Sequence, residues 1–415
     1  MTEHRQCVVV GGGPAGMVLG LLLARAGVKV TVLEKHGDFL RDFRGDTVHP
    51  STLTLLDELG LGEKFNALPH SEIQQISLPK PDGTQLVFAD LSKLKVARPY
   101  VAMAPQWDFL DLLADSARGE PTFDLRLSTE VTGLLREGGR VAGVRYRTAD
   151  GETRELRSDL VVAADGRWSL ARRQAGLVPK EYATPFDAWW FRLPRHEGEA
   201  GDTLVPQLHN RRFAVAIPRA GYFQIAYMAP KGVNLALQGI ERFRENVAQV
   251  YPRFADRVES LTEMDDVKHL DVRLNLLRRW HVDGLLCIGD AAHAMSPVGG
   301  VGVNLAVQDA VATAALLAGP LLRGRPTGEE LAKVRARRRL PTLLVQGLQR
   351  GLHRVMMRPV MEGRRNGPPA ALLKAFTLFP ALNIVPARLV GLGFRPEHAP
   401  DFARRAAEPV ELDRG

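Results

Sequence analysis

The chain is 415 residues long, 45% hydrophobic and 25% charged, with a formal net charge of +8. That length predicts two intimately packed domains rather than one, and two cysteines exclude a disulfide framework, so Cys7 and Cys287, each inside an apolar run, read as core thiols. The charge is concentrated, because residues 323–405 carry 17 basic and five acidic side chains; no nucleic-acid-binding module accompanies them, which leaves solvated helix faces and a weak attraction to anionic membrane surfaces as the expectations.

The start, "MTEHRQC", lacks an apolar stretch behind a basic segment, and the uncharged runs 310–322 and 375–387 are short and interrupted by prolines. A cytoplasmic location is therefore expected. The first structured unit is "CVVVGGGPAGMVLGLLLARAGVKVTVLEK". It reads as a buried parallel strand, a glycine turn, a helix from Pro14 ended by Gly27, and a second strand. The turn fits G-x-G-x-x-G at Gly11, Gly13 and Gly16, and Glu34 closes the second strand. Strand, helix and acid together predict a pyrophosphate over the helix N-terminus and a ribose on the Glu34 carboxylate.

"FRGDTVHPSTLTLLDELGL" then gives an Arg44-containing loop and a short helix from Pro50, and "APQWDFLDLLADSA" a helix with Gln106 in its first turn. Strands separated by Gly138-Gly139 and Asp150-Gly151 follow, returning to the sheet through 160–163. From about residue 182 to 268, short aromatic and branched runs ("DAWWFRLP", "RRFAVAIP", "GYFQIAYMAP") predict an antiparallel sheet of a second domain. "ERFRENVAQVYPRFADRV" reads as a helix broken at Pro252, and "DGLLCIGDAAH" returns to a parallel strand. "SPVGGVGVNLAVQDA" spends three glycines just before a helix, which lets another group approach bare backbone at a place that attracts negative charge. Basic helical segments run from about residue 328 to 361, interrupted at Pro341. No G-x-S-x-G elbow, HExxH or Cys/His metal spacing is present.

Three separated motifs, "GGGPAG" with Glu34, "ADGRWSLAR" (164–172) and "GDAAHAMSPVGGVGVNLAVQD", resemble the class A FAD-dependent aromatic monooxygenases, typified by para-hydroxybenzoate hydroxylase and the ubiquinone-pathway hydroxylases. The resemblance covers roughly residues 5–320. It implies an α/β fold in which a Rossmann-like, three-layer FAD/NAD(P)-binding domain (1–72, 98–181 and 269–326) is interrupted by an antiparallel-sheet substrate domain (73–97 and 182–268). A C-terminal helical region (327–415) follows. It places Glu34 at the adenosine ribose, Arg44 on the pyrophosphate side, Gln106 against the ribityl chain or ring, and Asp290 on the ribityl hydroxyls. Asp165 and Gly166 match the Asp-Gly motif implicated in FAD and pyridine nucleotide binding. Pro14, Ala15, Lys35 and Val131 complete the expected FAD-binding set, and Pro297, Gly300, Gly302, Val303 and Asn304 run along the isoalloxazine edge.

The resemblance implies that the helix N-terminus behind those glycines faces the part of the ring that is anionic when reduced, which its dipole would stabilise. Trp189, Trp190 and Tyr222 are the candidates to line the substrate cavity, Trp189 and Tyr222 foremost, although an aromatic in a strand is more often plain core. His293 reads as structural, and no catalytic base is named. The implied activity is NADH- or NADPH-driven, O2-dependent hydroxylation of an aromatic or polyketide-like small molecule through a flavin hydroperoxide, with the reductant visiting transiently. An FAD-dependent reductase or dehydrogenase of an isoprenoid is the alternative. A flavin halogenase is disfavoured by the lack of Trp-x-Trp-x-Ile-Pro, and a non-catalytic redox reporter is a third class.

Overall fold

The opening segment folds as its pattern dictates, into β1 (His4–Val10), α1 (Pro14–Arg25) and β2 (Val30–Leu33). Val8, Val9 and Val10 have parallel neighbours on both sides and are buried, as a central parallel strand requires. This is a computed structural model; it describes residues 3–407 apart from 41–46, 81, 83, 200–202, 205, 210, 220 and 366.

Next in the chain come α2 (Pro50–Glu58), α3 (Gln106–Arg118) and β3 (Phe123–Arg126), then a hairpin of Glu130–Glu137 with Arg140–Arg147, and β4 (Thr153–Ala163). The antiparallel sheet that follows contains β5 (Phe186–Pro194), β6 (Arg212–Pro218) and β7 (Tyr222–Pro230), with α4 (Ile240–Val250) after it. The chain then returns through β8 (Leu285–Cys287) to the first sheet, whose order is His281–Val282, β8, β4, β1, β2, β3, with the hairpin attached to β4. All pairings from β8 to β3 are parallel, so their carboxyl ends open on one edge. Ligands bind at that edge in open α/β sheets. Cys7 and Cys287 lie unbonded in this core, and burial pushes both thiols far up from the ordinary range.

Strand alternation gives the antiparallel sheet two apolar faces. Trp189, Phe191, Ile225 and Tyr227 pack with Phe243 and Val247 of α4 in one cluster. Trp190, Val215, Ala226 and Met228 belong to the cluster on the opposite side, with Val298 and Met357.

The C-terminal part holds α5 (Val301–Arg323), α6 (Gly328–Leu352), α7 (Ala370–Leu378) and α8 (Ile384–Gly391). The interruption expected at Pro341 does not occur, and α6 runs through it. Pro341 and Thr342 are buried, and the Thr342 hydroxyl donates to the Arg338 carbonyl at 2.9 Å. Tertiary packing here overrides the proline's disfavour. Among the described residues α5 is the one helix long and apolar enough to cross a membrane; two thirds of its apolar window is buried in the protein, which makes it a core helix.

Candidate functional site

Four loops meet at the carboxyl edge of the parallel sheet. Gly11 has φ +104°, and a Cβ there would fall 2.6 Å from the Ala164 carbonyl oxygen. At Gly16 a Cβ would fall 1.9 Å from the Gly11 carbonyl, so only glycine lets α1 start this close to β1. Gly13, the N-cap of α1, instead faces open space and supplies no capping side chain, leaving the first N–H groups of α1 unclaimed. Pro14 and the buried Ala15 form the first turn, and a Cβ on Gly289 would meet the Ala15 methyl at 3.6 Å.

Glu34, buried at the end of β2, accepts the Gly12 N–H on Oε2 at 2.8 Å and the His36 N–H on Oε1 at 3.1 Å. Its neighbour Lys35 is exposed, and Val131 is half-buried against the core. Asp290 accepts from Arg167 Nη2 at 3.2 Å on Oδ2, while Oδ1 takes no hydrogen bond from a described residue. Asp165 accepts the Ala171 N–H at 3.2 Å on Oδ2, and its Oδ1 is enclosed without a partner. Burial raises its pKa by more than the Ser169 hydroxyl and the Ala171 N–H lower it. Gly166 beside it has φ +77° and open space before it. Gln106 is half-buried at the first position of α3. Arg44 lies outside the described residues.

The fourth loop precedes α5. Gly300 caps that helix in the left-handed conformation, with no side-chain cap and no acid in the first turn. Its carbonyl is clamped by the Thr47 hydroxyl at 2.9 Å and by His49 Nε2 at 3.1 Å. Burial lowers the His49 pKa more than this bond raises it, so the ring is neutral. Pro297 and Val303 are half-buried, and Gly302 faces open space. Asn304 Oδ1 accepts the hydroxyls of Ser51 at 2.8 Å and Thr52 at 2.7 Å, which ties α5 to α2.

Several residues that hold these loops were not singled out from sequence. Buried Arg172 donates to the Ala291 carbonyl at 3.0 Å and the Arg167 carbonyl at 2.8 Å, joining two of the loops. Gln349 donates to the Ser296 carbonyl at 2.9 Å and the Val298 carbonyl at 3.0 Å, and His353 Nε2 lies 2.9 Å from the Ser296 hydroxyl. The 346/349/353 spacing of polar residues on one helix face was the signal available. His293 is structural, 2.5 Å from Asp309, which also accepts from Arg338 at 3.0 Å. Burial alone would raise the Asp309 pKa, but these two partners hold it below the ordinary value.

These groups fit a flavin dinucleotide. Two uncapped helix N-termini suit its anionic parts, the carboxylates of Glu34 and Asp290 suit hydroxyls, and Gly13, Gly166 and Gly302 present bare backbone to open space. A family model described as the FAD binding domain matches residues 4–344.

The chain belongs to the class A FAD-dependent aromatic monooxygenases. It is similar to the 6-methylpretetramide 4-monooxygenase of Streptomyces rimosus, 35% identical over 395 residues that cover 93% of this chain and 92% of the relative. Among solved structures it is similar to the anhydrotetracycline hydroxylase OxyS of Streptomyces rimosus, with a TM-score of 0.74 and 25% identity over 96% of this chain and 77% of that one. The p-nitrophenol 4-monooxygenase of Pseudomonas putida shares the fold, with a TM-score of 0.72 and 21% identity over 92% of this chain and 99% of that one.

The structure separates the substrate candidates of the monooxygenase onto two faces of the antiparallel sheet. Trp189 is buried against α4 and tilted on His269 at 4.4 Å, on the sheet face turned away from Val298. The residue on the other face is Trp190, opposite Ala226, which stands opposite Val215. Strand alternation moves neighbours to opposite faces, so a doublet of tryptophans leaves the choice to parity. The indole N–H groups of both Trp189 and Trp190 are enclosed and without a partner, so the face each sits on, not the orphaned donor, separates them. Tyr222 shares its face at the far end of β7, half-buried under the Arg192 guanidinium at 4.9 Å.

Proposed function

We propose that this monooxygenase hydroxylates a polyketide-like aromatic of the kind named by pretetramide and anhydrotetracycline, with NADH or NADPH as a transient reductant. The observation that carries this reading is the match at 35% identity along nearly the whole of both chains to a 6-methylpretetramide 4-monooxygenase. The apolar sheet face bearing Trp190, Val215 and Met228 supports a large, flat, mostly apolar substrate.

FAD, when bound, supplies the electron storage and oxygen activation that no side chain offers. The chain's own part is to bind, orient and exclude water. The α1 N-terminus and Glu34 hold the nucleotide end, and Asp290 and the backbone of Gly300 and Gly302 hold the ring end. The antiparallel sheet roofs the substrate and keeps water from the reacting atoms. Trp190 Nε1 donates to a substrate carbonyl or phenol oxygen, which satisfies an otherwise unmatched buried donor.

The test is aerobic oxidation of NADH and NADPH in the presence of anhydrotetracycline, simple phenols and a polyprenyl substrate, under isotopically labelled dioxygen. A product heavier by one labelled oxygen from an aromatic is the expected result. Oxygen-independent reduction of the polyprenyl double bonds, with no oxygen inserted into any aromatic, would overturn the reading in favour of an isoprenoid reductase.

A further inference from the structure

Between Glu362 and Glu397 the chain carries five basic residues and no acidic one. Within that stretch α7 and the segment Pro380–Gly391, which contains α8, form an elbow bent by 110°. At its tip Leu378, Phe379, Leu382 and Val385 are 60%, 62%, 39% and 52% exposed. Scattered exposed leucines need no explanation, but four large apolar side chains within eight residues form a patch.

The tip is held firmly from behind. Phe376 packs tilted against Phe88 with ring centroids 5.0 Å apart, Leu373 and Ala387 are buried, and Lys93 Nζ donates to Asn383 Oδ1 at 3.0 Å. Exposed cations flank it: Lys374 on α7, Arg388 on α8 and Lys95 in the loop beneath, none in an ion pair among the described residues. The carboxylate of Asp90 nearby is 3.5 Å from Lys93.

We propose that this elbow is a docking surface for an anionic lipid bilayer. The apolar tip enters the boundary between headgroups and acyl chains, while Lys374, Arg388 and Lys95 meet lipid phosphates. Neither arm is long enough to span, so the chain lies on the surface. A second copy of the chain is a poorer occupant, because it would set the same cations against each other.

The experiment is co-sedimentation of the full-length, FAD-loaded protein with vesicles of equal parts phosphatidylglycerol and phosphatidylcholine, and with vesicles of phosphatidylcholine alone. Three surface cations at about fivefold each predict well over tenfold stronger partition onto the anionic vesicles at low salt, weakening as salt rises. Lys374→Glu with Arg388→Glu should abolish most of that preference. Phe379→Ser with Leu382→Ser should lower partition about tenfold. Both double variants keep FAD content, which controls for folding. Equal partition onto both vesicles, no sedimentation, or a Phe379→Ser/Leu382→Ser variant that binds like wild type overturns the proposal. So does a dimer in sedimentation equilibrium that this variant dissolves, which assigns the elbow to a second copy.

Discussion

In the proposed function the parallel sheet and the antiparallel sheet place their ligands by different means. At the parallel sheet the site is made of backbone: glycine turns, uncapped helix N-termini, and two carboxylates whose positions follow from strand ends. At the antiparallel sheet it is made of side chains on one of two apolar faces. A backbone site depends on residues that nothing else replaces, whereas a side-chain site depends on a parity that shifts with one residue of register. The first kind of site therefore tolerates almost no substitution where the chain is crowded, and the second separates stability from specificity between adjacent positions.

The largest expected effect tests the second half of that contrast. Trp189→Ala removes a side chain packed against α4 and should lower unfolding free energy by about 3–5 kcal/mol. The KM of the surviving folded enzyme should stay close to wild type. Trp190→Phe should cost little stability yet raise the KM for an aromatic substrate about fivefold, the equivalent of one lost hydrogen bond of about 1 kcal/mol. Denaturant titration beside steady-state kinetics reads both, and interchanged outcomes would show that the faces are assigned the wrong way round.

The glycine turn gives the next effect. Gly16→Ala must push a Cβ into the Gly11 carbonyl and should destabilise by about 3 kcal/mol with loss of bound FAD. Gly13→Ala meets no atom of the protein, so thermal stability of the apoprotein should move by less than about 0.5 kcal/mol while FAD retention falls. Flavin absorbance per chain after gel filtration separates them. A Gly13→Ala protein that keeps FAD as wild type does would mean that the open space there is not the dinucleotide's.

This difference also decides what was legible in the sequence. The β1–α1–β2 unit with Glu34 and the return of the chain at β8 follow from glycine spacing and apolar runs, because those signals are local, whereas Asp290 comes through the family resemblance. The two faces of β5 were not separable from "DAWWF" alone, since both are apolar and only the placement of α4 distinguishes them. The use of Asn304 to tie α5 to α2, and of Gln349 and His353 to hold the loop before α5, was also hidden. Each joins segments more than 50 residues apart; the 346/349/353 spacing marks a polar helix face but does not name its distant partner. The continuity of α6 through Pro341 shows packing prevailing over local preference.

Asp290→Ala sharpens the comparison on the backbone side, where a side chain is added to a backbone site. It should weaken FAD binding by about 1.5–3 kcal/mol, the loss of a charged acceptor for a buried hydroxyl. Asp290→Asn, which keeps an acceptor, should lose about 1 kcal/mol. Isothermal titration of apoprotein with FAD measures both, and an unchanged affinity in the alanine variant would remove Asp290 from the site.

The smallest effect lies where the C-terminal helices touch the backbone site. His353 is buried, edge-on to Phe186 at 5.3 Å and beside the Ser296 hydroxyl, and burial pushes its pKa down to about 4. An unfolded chain binds a proton at this histidine near pH 6.5, while the folded chain refuses it until near pH 4. The neutral ring thus contributes stability that is complete above pH 6.5 and is lost as pH falls towards 4. Between pH 7 and pH 5 the difference is about 2 kcal/mol. His353→Gln cannot take up the proton, so its unfolding free energy should decline less than that of wild type over the same interval by about that amount, although it starts lower at pH 7. Because His353 reaches Ser296, its protonation in the folded chain near pH 4 should loosen the loop that leads to Gly300 and lower FAD affinity in wild type but not in the variant. Parallel pH profiles for the two proteins would show that the histidine is accessible to protons in the folded state and that the C-terminal helices do not hold the flavin loop through it.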